Sequence, residues 1–282
     1  ERIIDHEFDK EHTYTLGELL DLNVVNHQAE ISVVATKAVS ESALLQLFQK
    51  KVLDIWVGME FIVNPYKESK EVFILGSVED VVAGLDDSLV TLNTILGSRY
   101  CAPIREDVES WQGKLNLLSD TLDEWLLCQK QWMYLETIFS AADIQRQLPE
   151  ENRKFVSVDK SWKAIMKRTN TNPNCIAAGT VKNMKETLQR HNETLDQIQK
   201  SLEDYLETKR SAFPRFYFLS NDELLEILAQ TRDPQAVQPH LRKCFDAINR
   251  LKFGAEAKSV DILAMISPEK EEIALGRNLK AR

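Results

Sequence analysis

The histidines and cysteines are the side chains with the widest chemistry in this chain, and their spacing defines no known site. None of the histidines pairs with a cysteine at a spacing typical of a nucleophile and its base. The cysteines form no CxxC pair and no zinc spacing, which predicts reduced thiols that pack as small apolar side chains. These residues are His6, His12, His27, His191, His240, Cys101, Cys128, Cys175 and Cys244.

Motifs that carry catalysis or bind phosphate are also missing from the sequence. It contains no G-x-x-x-x-G-K-[ST], no G-x-G-x-x-G, no G-x-S-x-G and no H-E-x-x-H. The many carboxylates fall on predicted solvent faces of helices. We therefore expect no catalytic, cofactor-binding or metal-binding residue in this chain. An enzyme with an unrecognised helical active site is the alternative, and turnover of nucleotide or another substrate by the purified chain would support it.

The composition of the chain argues against two classes of partner, nucleic acid and membrane. The 282 residues are 43% apolar and 28% charged, with a net charge of −9 and no block of Lys and Arg, so nucleic acid is not an expected partner. No apolar run approaches the ~18 residues of a membrane span and no signal peptide is visible, so no membrane partner is expected. The chain begins at Glu1 without Met, and we expect a fragment of a longer polypeptide.

Most of the chain has helical periodicity. We expect a helix capped by Ser40, and another that is opened by a Ser77–Asp80 capping box and runs to about Leu96. A shorter helix is expected around Trp162, Ile165 and Met166. A heptad-like apolar seam lies between the helix that runs to about Leu96 and the helix around Trp162, and it ends before Pro149. Its residues are Trp111, Leu115, Leu118, Leu122, Trp125, Cys128, Trp132, Leu135 and Phe139.

A second seam predicts one long amphipathic helix over residues 180–211. It consists of Val181, Met184, Leu188, His191, Leu195, Ile198, Leu202 and Tyr205. A histidine on such a seam is either a metal ligand or a buried, hydrogen-bonded core residue. His191 lacks visible partner ligands, which favours the core histidine.

Two β-hairpins and one further helix complete the prediction. "MEFIVNPYKESKEVFIL" alternates apolar and polar residues around a turn that carries Tyr66, Lys67 and Lys70. That tip is either a solvated turn or a finger that touches another domain. "SVDILAMI" and "EIALGR" predict a second hairpin. The helix is predicted in "DPQAVQPHLRKCFDAINRL", with a stripe of Leu241, Phe245, Ile248 and Leu251.

An aromatic corner follows the second long helix. "RFYFLS" is expected to run extended between the helix that ends at Arg210 and a helix capped by Ser220 or Asn221. The corner either packs between two bundles or also docks a moving partner. Its residues are Phe213, Pro214, Arg215, Phe216, Tyr217 and Phe218.

The expected fold class is mainly α: an elongated rod of stacked antiparallel helical bundles with small β-hairpins. The predicted parts are N-terminal helices (1–58), a β-hairpin (59–76), a bundle with the Trp-rich helix (77–148), a bundle with the second seam helix (149–212), and the corner with C-terminal helices and hairpin (213–282).

Several stretches resemble the linker region of dynein heavy chains. They are "EVFILGSVEDVVAGLDDSLVTLNTILGSRY", "WLLCQKQWMYLETIFSAADIQRQLPEE", "FVSVDKSWKAIMK", "LEDYLETKRSAFPRFYFLSNDELLEIL" and "DPQAVQPHLRKCFDAI", in order and spacing over roughly residues 40–275. The wording "LSNDELLEIL" and "VQPHLRKCF" is more similar to axonemal than to cytoplasmic dyneins.

The resemblance implies a mechanical lever. A dynein linker arches over the AAA+ ring of its own heavy chain, joins the tail to the first AAA+ module, and straightens in the power stroke. ATP or ADP with Mg would be bound by AAA+ modules elsewhere in the parent chain. Accessory chains would attach through the tail, and microtubules would be reached only through the distal stalk. The implied location is cytoplasmic, in a ciliary or flagellar axoneme.

Within that family, we expect a two-state element. The hairpin tip or the aromatic corner would contact the ring in one state only, because a ligand biases two states only by differential affinity. The bend is expected near residues 141–157, around Pro149. A static scaffold or spectrin-like tether is the alternative, although such a rod should lack the two hairpins and the aromatic corner.

Overall fold

The structure, a computed structural model, describes residue 3 and residues 12–67, 69, 71–229, 233–254 and 259–281. These residues are mainly helical with a few short antiparallel strands, which confirms the predicted mainly α class with small β-hairpins. The helices are α1 (Leu16–Asp21), α2 (Gln28–Phe48), α3 (Asp54–Gly58), α4 (Glu79–Leu96), α5 (Arg105–Phe139), α6 (Ala142–Gln147), α7 (Pro149–Thr171), α8 (Cys175–Gly179), α9 (Met184–Ala212), α10 (Asn221–Ala229) and α11 (Leu241–Cys244). The strands are β1 (Val63–Pro65), β2 (Phe73–Leu75), β3 (Arg250–Phe253), β4 (Asp261–Ile266) and β5 (Glu272–Lys280).

The chain divides into two compact units. The first unit consists of Glu1–Asn64, Leu75–Leu122 and Thr169–Lys182. The second unit consists of Pro65–Ile74, Asp123–Arg168 and Asn183–Arg282. Each unit combines segments that are distant in sequence, whereas the five parts expected from the sequence are consecutive. The two divisions describe different things, and the five parts stay a prediction.

In the first unit, two predicted helix caps are wrong. Helix α2 begins well before Ser40, and the Ser40 hydroxyl donates to the Thr36 carbonyl at 2.8 Å inside the helix. A serine in the middle of a helix can donate its hydroxyl to the carbonyl four residues earlier, so a serine alone does not mark the start of a helix. Helix α4 begins at Glu79 after Val78, and no capping box forms between Ser77 and Asp80. Its end at Leu96 is as predicted.

The core of the first unit is sealed by a buried tryptophan on α3. The indole Nε1 of Trp56 donates to the Ser88 hydroxyl on α4 at 3.0 Å, and both residues are buried. This bond gives a partner to two buried polar groups, because a buried polar group without a hydrogen bond costs about 1–3 kcal/mol of stability.

The loop before α8 joins the segment after α3 by backbone bonds. The amide of Phe61 donates to the Pro173 carbonyl at 2.8 Å, and the amide of Cys175 donates to the Met59 carbonyl at 2.9 Å. These bonds place Asn174 opposite Glu60 in an isolated antiparallel bridge. The sequence predicts only a loop here, because hydrogen bonds across more than a hundred residues leave no local pattern.

The side chain of Asn174 fastens both segments. Its amide nitrogen donates to the carbonyls of Trp56 and Val57 at 3.3 Å each, where α3 ends. Its amide oxygen accepts from the Ala177 amide at 3.0 Å and caps α8. One side chain therefore satisfies the end of one helix and the start of another.

Both long seams are confirmed as buried stripes. On α5, the seam residues from Leu115 to Phe139 are buried, while Trp111 is half-buried. On α9, the seam residues from Met184 to Leu202 are buried, and the stripe continues through Leu206 rather than the half-buried Tyr205. Val181 lies before the first residue of α9.

In the second unit, Pro149 starts a helix. Helix α5 ends at Phe139, the short α6 follows, and α7 runs from Pro149 to Thr171, longer than the sequence predicts. Proline is well suited to the first position of a helix, because its missing N–H would have no partner there.

The helix predicted up to Leu251 is wrong beyond Cys244. Residues Pro234–His240 form a 3₁₀ helix, α11 ends at Cys244, and Leu251 lies in strand β3. Two prolines remove amide donors from this stretch, which disfavours a continuous α-helix. The side chain of Gln238 then bonds both backbone groups of Leu251, at 2.7 Å and 2.9 Å.

Strand β3 was missed by the sequence reasoning, and it extends the predicted C-terminal hairpin. The hairpin of β4 and β5 is present, and β3 pairs antiparallel with β4 to give a three-stranded sheet in the order β3-β4-β5.

The first prediction concerns the loop before α8. Replacement of Asn174 by Ala should lower the free energy of unfolding by about 1–3 kcal/mol, because it removes a helix cap and leaves two carbonyls with weaker partners. Asn172→Ala is the matched control, since Asn172 is exposed in the same loop. Urea denaturation measures both variants, and equal losses would contradict the assigned role of Asn174.

Candidate functional site

The first candidate site is the tip of the β1–β2 hairpin. The amide of Tyr66 donates to the Val72 carbonyl at 2.8 Å, which closes the hairpin. Lys67 has φ of 54°, in the left-handed region where side chains other than glycine are uncommon. Lys70, the third predicted tip residue, lies outside the described residues.

The tip packs on α5 within its own unit. The Tyr66 ring lies 5.1 Å from the Trp132 ring between centroids. The Tyr66 hydroxyl donates to Glu136 Oε2 at 3.3 Å, and Lys67 Nζ donates to the same oxygen at 2.5 Å. The bond with the Glu136 carboxylate raises the pKa of Lys67. The tip is therefore docked, and its contact with another domain stays a prediction.

Trp132 connects the tip to the core of the second unit. Its ring stacks on Trp162 of α7 with centroids 5.4 Å apart, and both tryptophans are fully buried. Its Nε1 donates to Asp159 Oδ1 at 3.1 Å, and Lys163 donates to the other oxygen of Asp159 at 2.7 Å. A tip that leaves α5 would thus expose one face of this aromatic stack.

Glu136 was missed by the sequence reasoning. It follows Trp132 by four residues, so both side chains emerge on one face of α5 one turn apart. That spacing is a usable signal once the tip is known to lie over Trp132. Nothing local in the sequence identifies α5 as the partner of the hairpin.

The second candidate site is the aromatic corner, and its predicted extended conformation is wrong. Residues Pro214–Phe218 form a 3₁₀ helix, in which the Phe216 amide donates to the Phe213 carbonyl at 2.9 Å. The fixed φ of Pro214 suits the first position of such a turn. The predicted end of the preceding helix near Arg210 is close to the observed end at Ala212.

Arg215 anchors the corner to the residues after α11. Its guanidinium donates to the Cys244 carbonyl at 2.8 Å, and its central carbon lies 4.5 Å from the centroid of the Phe245 ring. Phe213 and Phe216 pack edge to face with centroids 4.9 Å apart. These contacts hold the inner side of the corner in place.

The outer side of the corner is an exposed aromatic surface. Phe213, Tyr217 and Phe218 are 40%, 54% and 66% exposed. The Tyr217 hydroxyl donates to Glu207 at 2.5 Å, which fixes that ring on the surface. Aromatic side chains that are held rigidly and left exposed are typical of protein interfaces.

Helix α10 begins directly after the corner with the predicted cap at Ser220. The Glu223 amide donates to the Ser220 hydroxyl at 3.3 Å, and the Ser220 amide donates to the Glu223 carboxylate at 3.0 Å, which is a capping box. Lys243 also donates to this carboxylate. The pKa of Glu223 is lowered to about 2, mainly by the hydrogen bond with Lys243 and to a smaller extent by those with Ser220.

The remaining reactive residues lie in the core. His191 is buried, and its pKa is lowered by burial and by the charge of Arg190. The burial is as the sequence predicts, and among the described residues the Nδ1 atom of His191 has no hydrogen-bond partner. All four cysteines are free and buried, and burial raises the pKa of Cys128 and Cys175 to about 12 each.

Metal-binding clusters and long apolar helices are considered next for the part of the chain that the structure describes. No group of three or more His, Cys, Asp or Glu side chains there could hold a metal ion. The helical stretch Val24–Gly58 is long and apolar enough to cross a membrane by length and composition alone. Only 6% of its most apolar window is buried, and a single stretch of this kind is weak evidence, so it assigns no membrane.

These features define a helical structural element with one docked hairpin and one exposed aromatic corner. A family model described as dynein heavy chain, N-terminal region 2, matches residues 1–282. The chain belongs to this family of dynein heavy chains.

Curated relatives agree with the family. Dynein axonemal heavy chain 6 of Homo sapiens is 52% identical over an alignment that covers 97% of this chain and 7% of that protein. Dynein axonemal heavy chain 1 of Mus musculus is 44% identical over 93% of this chain and 6% of its own length. Dynein axonemal heavy chain 12 of Rattus norvegicus is 40% identical over 97% of this chain and 9% of its own length. The chain thus spans less than a tenth of each.

The second prediction uses the capping box of α10. Lys243→Met should raise the pKa of Glu223 from about 2 towards its ordinary value of 4.5, because it removes the main cause of the shift. Since the folded pKa lies below the unfolded one, ionised Glu223 stabilises the fold above pH 4.5, and this contribution is lost as pH falls through about 2.

The variant should therefore flatten the dependence of stability on pH within that window. Carbon NMR titration of the Glu223 carboxyl measures the shift. Arg242→Met is the control, since it removes the neighbouring positive charge, and it should leave the Glu223 titration in place. A Glu223 pKa that is unchanged in Lys243→Met contradicts the assignment.

Proposed function

We propose that this chain is the mechanical linker of an axonemal dynein heavy chain. It would bend and straighten over the AAA+ ring of the same heavy chain, so that ATP hydrolysis by those modules drives movement along microtubules. ATP or ADP and Mg would be bound by the modules, and microtubules by the distal stalk. The tail would carry the accessory chains, in the axoneme of a cilium or flagellum.

The observation that carries the proposal is the extent of the similarity. Three axonemal heavy chains match at 40–52% identity over 93–97% of this chain. The family model covers residues 1–282, which include the quoted linker-like stretches. The names of these relatives support the axonemal location. The lever itself is inferred from the resemblance of the sequence to dynein linkers.

The packing of the helices suits a lever. A lever must transmit force without local unfolding, and a close-packed interior resists deformation. The unbroken buried stripes on α5 and α9 supply such packing within each part of the chain.

Two surfaces suit a contact made in one state only. The aromatic corner is exposed, and Arg215 anchors its backbone segment, so a surface of the AAA+ ring could cover it. The hairpin tip is already docked on α5 through Tyr66 and Lys67, and a ring contact would compete with Glu136 or add to it. Such differential contact is what biases a two-state element.

The third prediction tests whether the lever moves. One fluorophore replaces Val90, an exposed residue of α4 in the first unit, and another replaces Glu193, an exposed residue of α9 in the second unit. In the full heavy chain, energy transfer between the fluorophores should differ between the ATP-bound and nucleotide-free states.

A static scaffold or tether predicts the same transfer efficiency in every nucleotide state, and that result overturns the lever. Two fluorophores within the first unit, at Val90 and Leu117, are the control, since both residues are exposed there. The bend predicted near residues 141–157 lies wholly inside the second unit and stays a prediction.

The fourth prediction tests the hairpin tip. Tyr66→Ala with Lys67→Ala in the full heavy chain should change gliding speed and ATPase by about five-fold, the effect of ~1 kcal/mol of lost coupling. The matched control is Arg99→Ala with Tyr100→Ala, another adjacent basic and tyrosine pair, with the charge 5.1 Å from the ring centroid. Unchanged speed and ATPase in the tip variant would exclude the tip as a ring contact.

A further inference from the structure

A groove of about 400 Å³ lies in the second unit beside α5, α6 and α10. Its apolar floor includes Ile138, Ile144 and Leu225, which are buried. The residues that line it are Tyr134, Thr137, Ile138, Ala141, Ile144, Asp222, Leu225, Glu226 and Ala229. A groove of this size accommodates a few apolar side chains.

One wall of the groove is acidic. Asp222 and Glu226 lie one turn apart on α10, and both are exposed. Burial first, and then the negative charges of Asp222 and Glu203, raise the pKa of Tyr134. Among the described lining residues none is Lys or Arg, so a ligand meets apolar surface and two carboxylates. The Glu226 carboxylate also lies 3.4 Å from Nε2 of His240, so a basic side chain would share it with that imidazole.

We propose that this groove holds a short segment of the same heavy chain, in which apolar side chains lie beside a Lys or Arg. The apolar side chains enter over Ile138, Ile144 and Leu225, while the basic side chain pairs with both Asp222 and Glu226, which lie one turn apart on α10. An amphipathic helix in an apolar groove is an established mode of peptide recognition.

The size of the groove argues for a segment of the same chain. A stable complex between separate proteins buries about 800 Å² on each partner, with about 20–30 residues a side. Nine lining residues supply much less. A tethered segment instead has an effective concentration in the millimolar range, so a weak site is occupied.

The parent chain has ample sequence for such a segment. This chain spans only 6–9% of the axonemal heavy chains that it matches. The inference rests on membership of the family and not on the lever, since a static heavy chain could fill the groove equally well.

Photo-crosslinking in the full-length heavy chain tests the proposal. Benzoylphenylalanine replaces Thr137, an exposed residue in the groove wall, and mass spectrometry identifies the captured peptide. We expect a peptide of the same heavy chain with a Lys or Arg near the crosslinked apolar residue. The control replaces Val156, which is exposed on α7 and does not line the groove.

Three outcomes of the crosslink overturn the proposal. They are a yield at position 137 no higher than at position 156, capture of a separate polypeptide, and capture of a segment without a basic residue. None of these readouts depends on motility, so failure of the groove proposal and failure of the lever are distinguishable.

A charge series tests the acidic wall. Asp222→Asn and Glu226→Gln, which keep the shape of each side chain, should each lower the crosslink yield by about three-fold, as expected for an exposed ion pair. Glu193→Gln on an exposed face of α9 should leave the yield unchanged. Glu226→Lys combined with Glu at the captured basic position should restore the yield, and its failure to do so overturns the assigned pairing.

Discussion

The burial of two long apolar stripes is the constraint on which the other features depend. Helix α5 is 35 residues long and α9 is 29, and each keeps one face out of water along most of its length. At about 25 cal/mol per Å² of apolar surface, this burial is the main term that holds such helices in place. The tip, the corner and the groove are all built on the ends or flanks of these helices.

Polar groups inside the second unit limit how its helices can pack. Trp132 needs Asp159 for its indole N–H, and the buried Asn192 donates to the Glu124 carbonyl at 3.0 Å and to its carboxylate at 2.7 Å. A shift of one helix by a turn would break these bonds and leave buried groups without partners, which costs more than a lost apolar contact. Apolar stripes alone tolerate several registers, and the polar pairs select one.

The three surfaces of the second unit differ in what they offer a partner. The hairpin tip already has its ion pair with Glu136, so a partner there must displace or share it. The corner presents exposed aromatic rings to solvent, while Arg215 bonds the Cys244 carbonyl and ties the segment to the residues after α11. The groove combines an apolar floor with carboxylates. The three surfaces thus differ in exposure, in charge and in the contacts that they already make.

The sequence by itself determined the helical class, both seams and both hairpins, because periodicity is a local property, and it narrowed the cap of α10 to Ser220 or Asn221. The tertiary structure decided what local rules cannot reach. Only the folded chain brings Tyr66 over Trp132 and places Asn174 against the end of α3. It also places Leu251 in strand β3, where the Gln238 side chain bonds its backbone. Helix periodicity also extends into "CFDAINRL", yet its last two residues, Arg250 and Leu251, pair with β4. The groove likewise combines residues of three helices, and no stretch of sequence contains its shape or its charge.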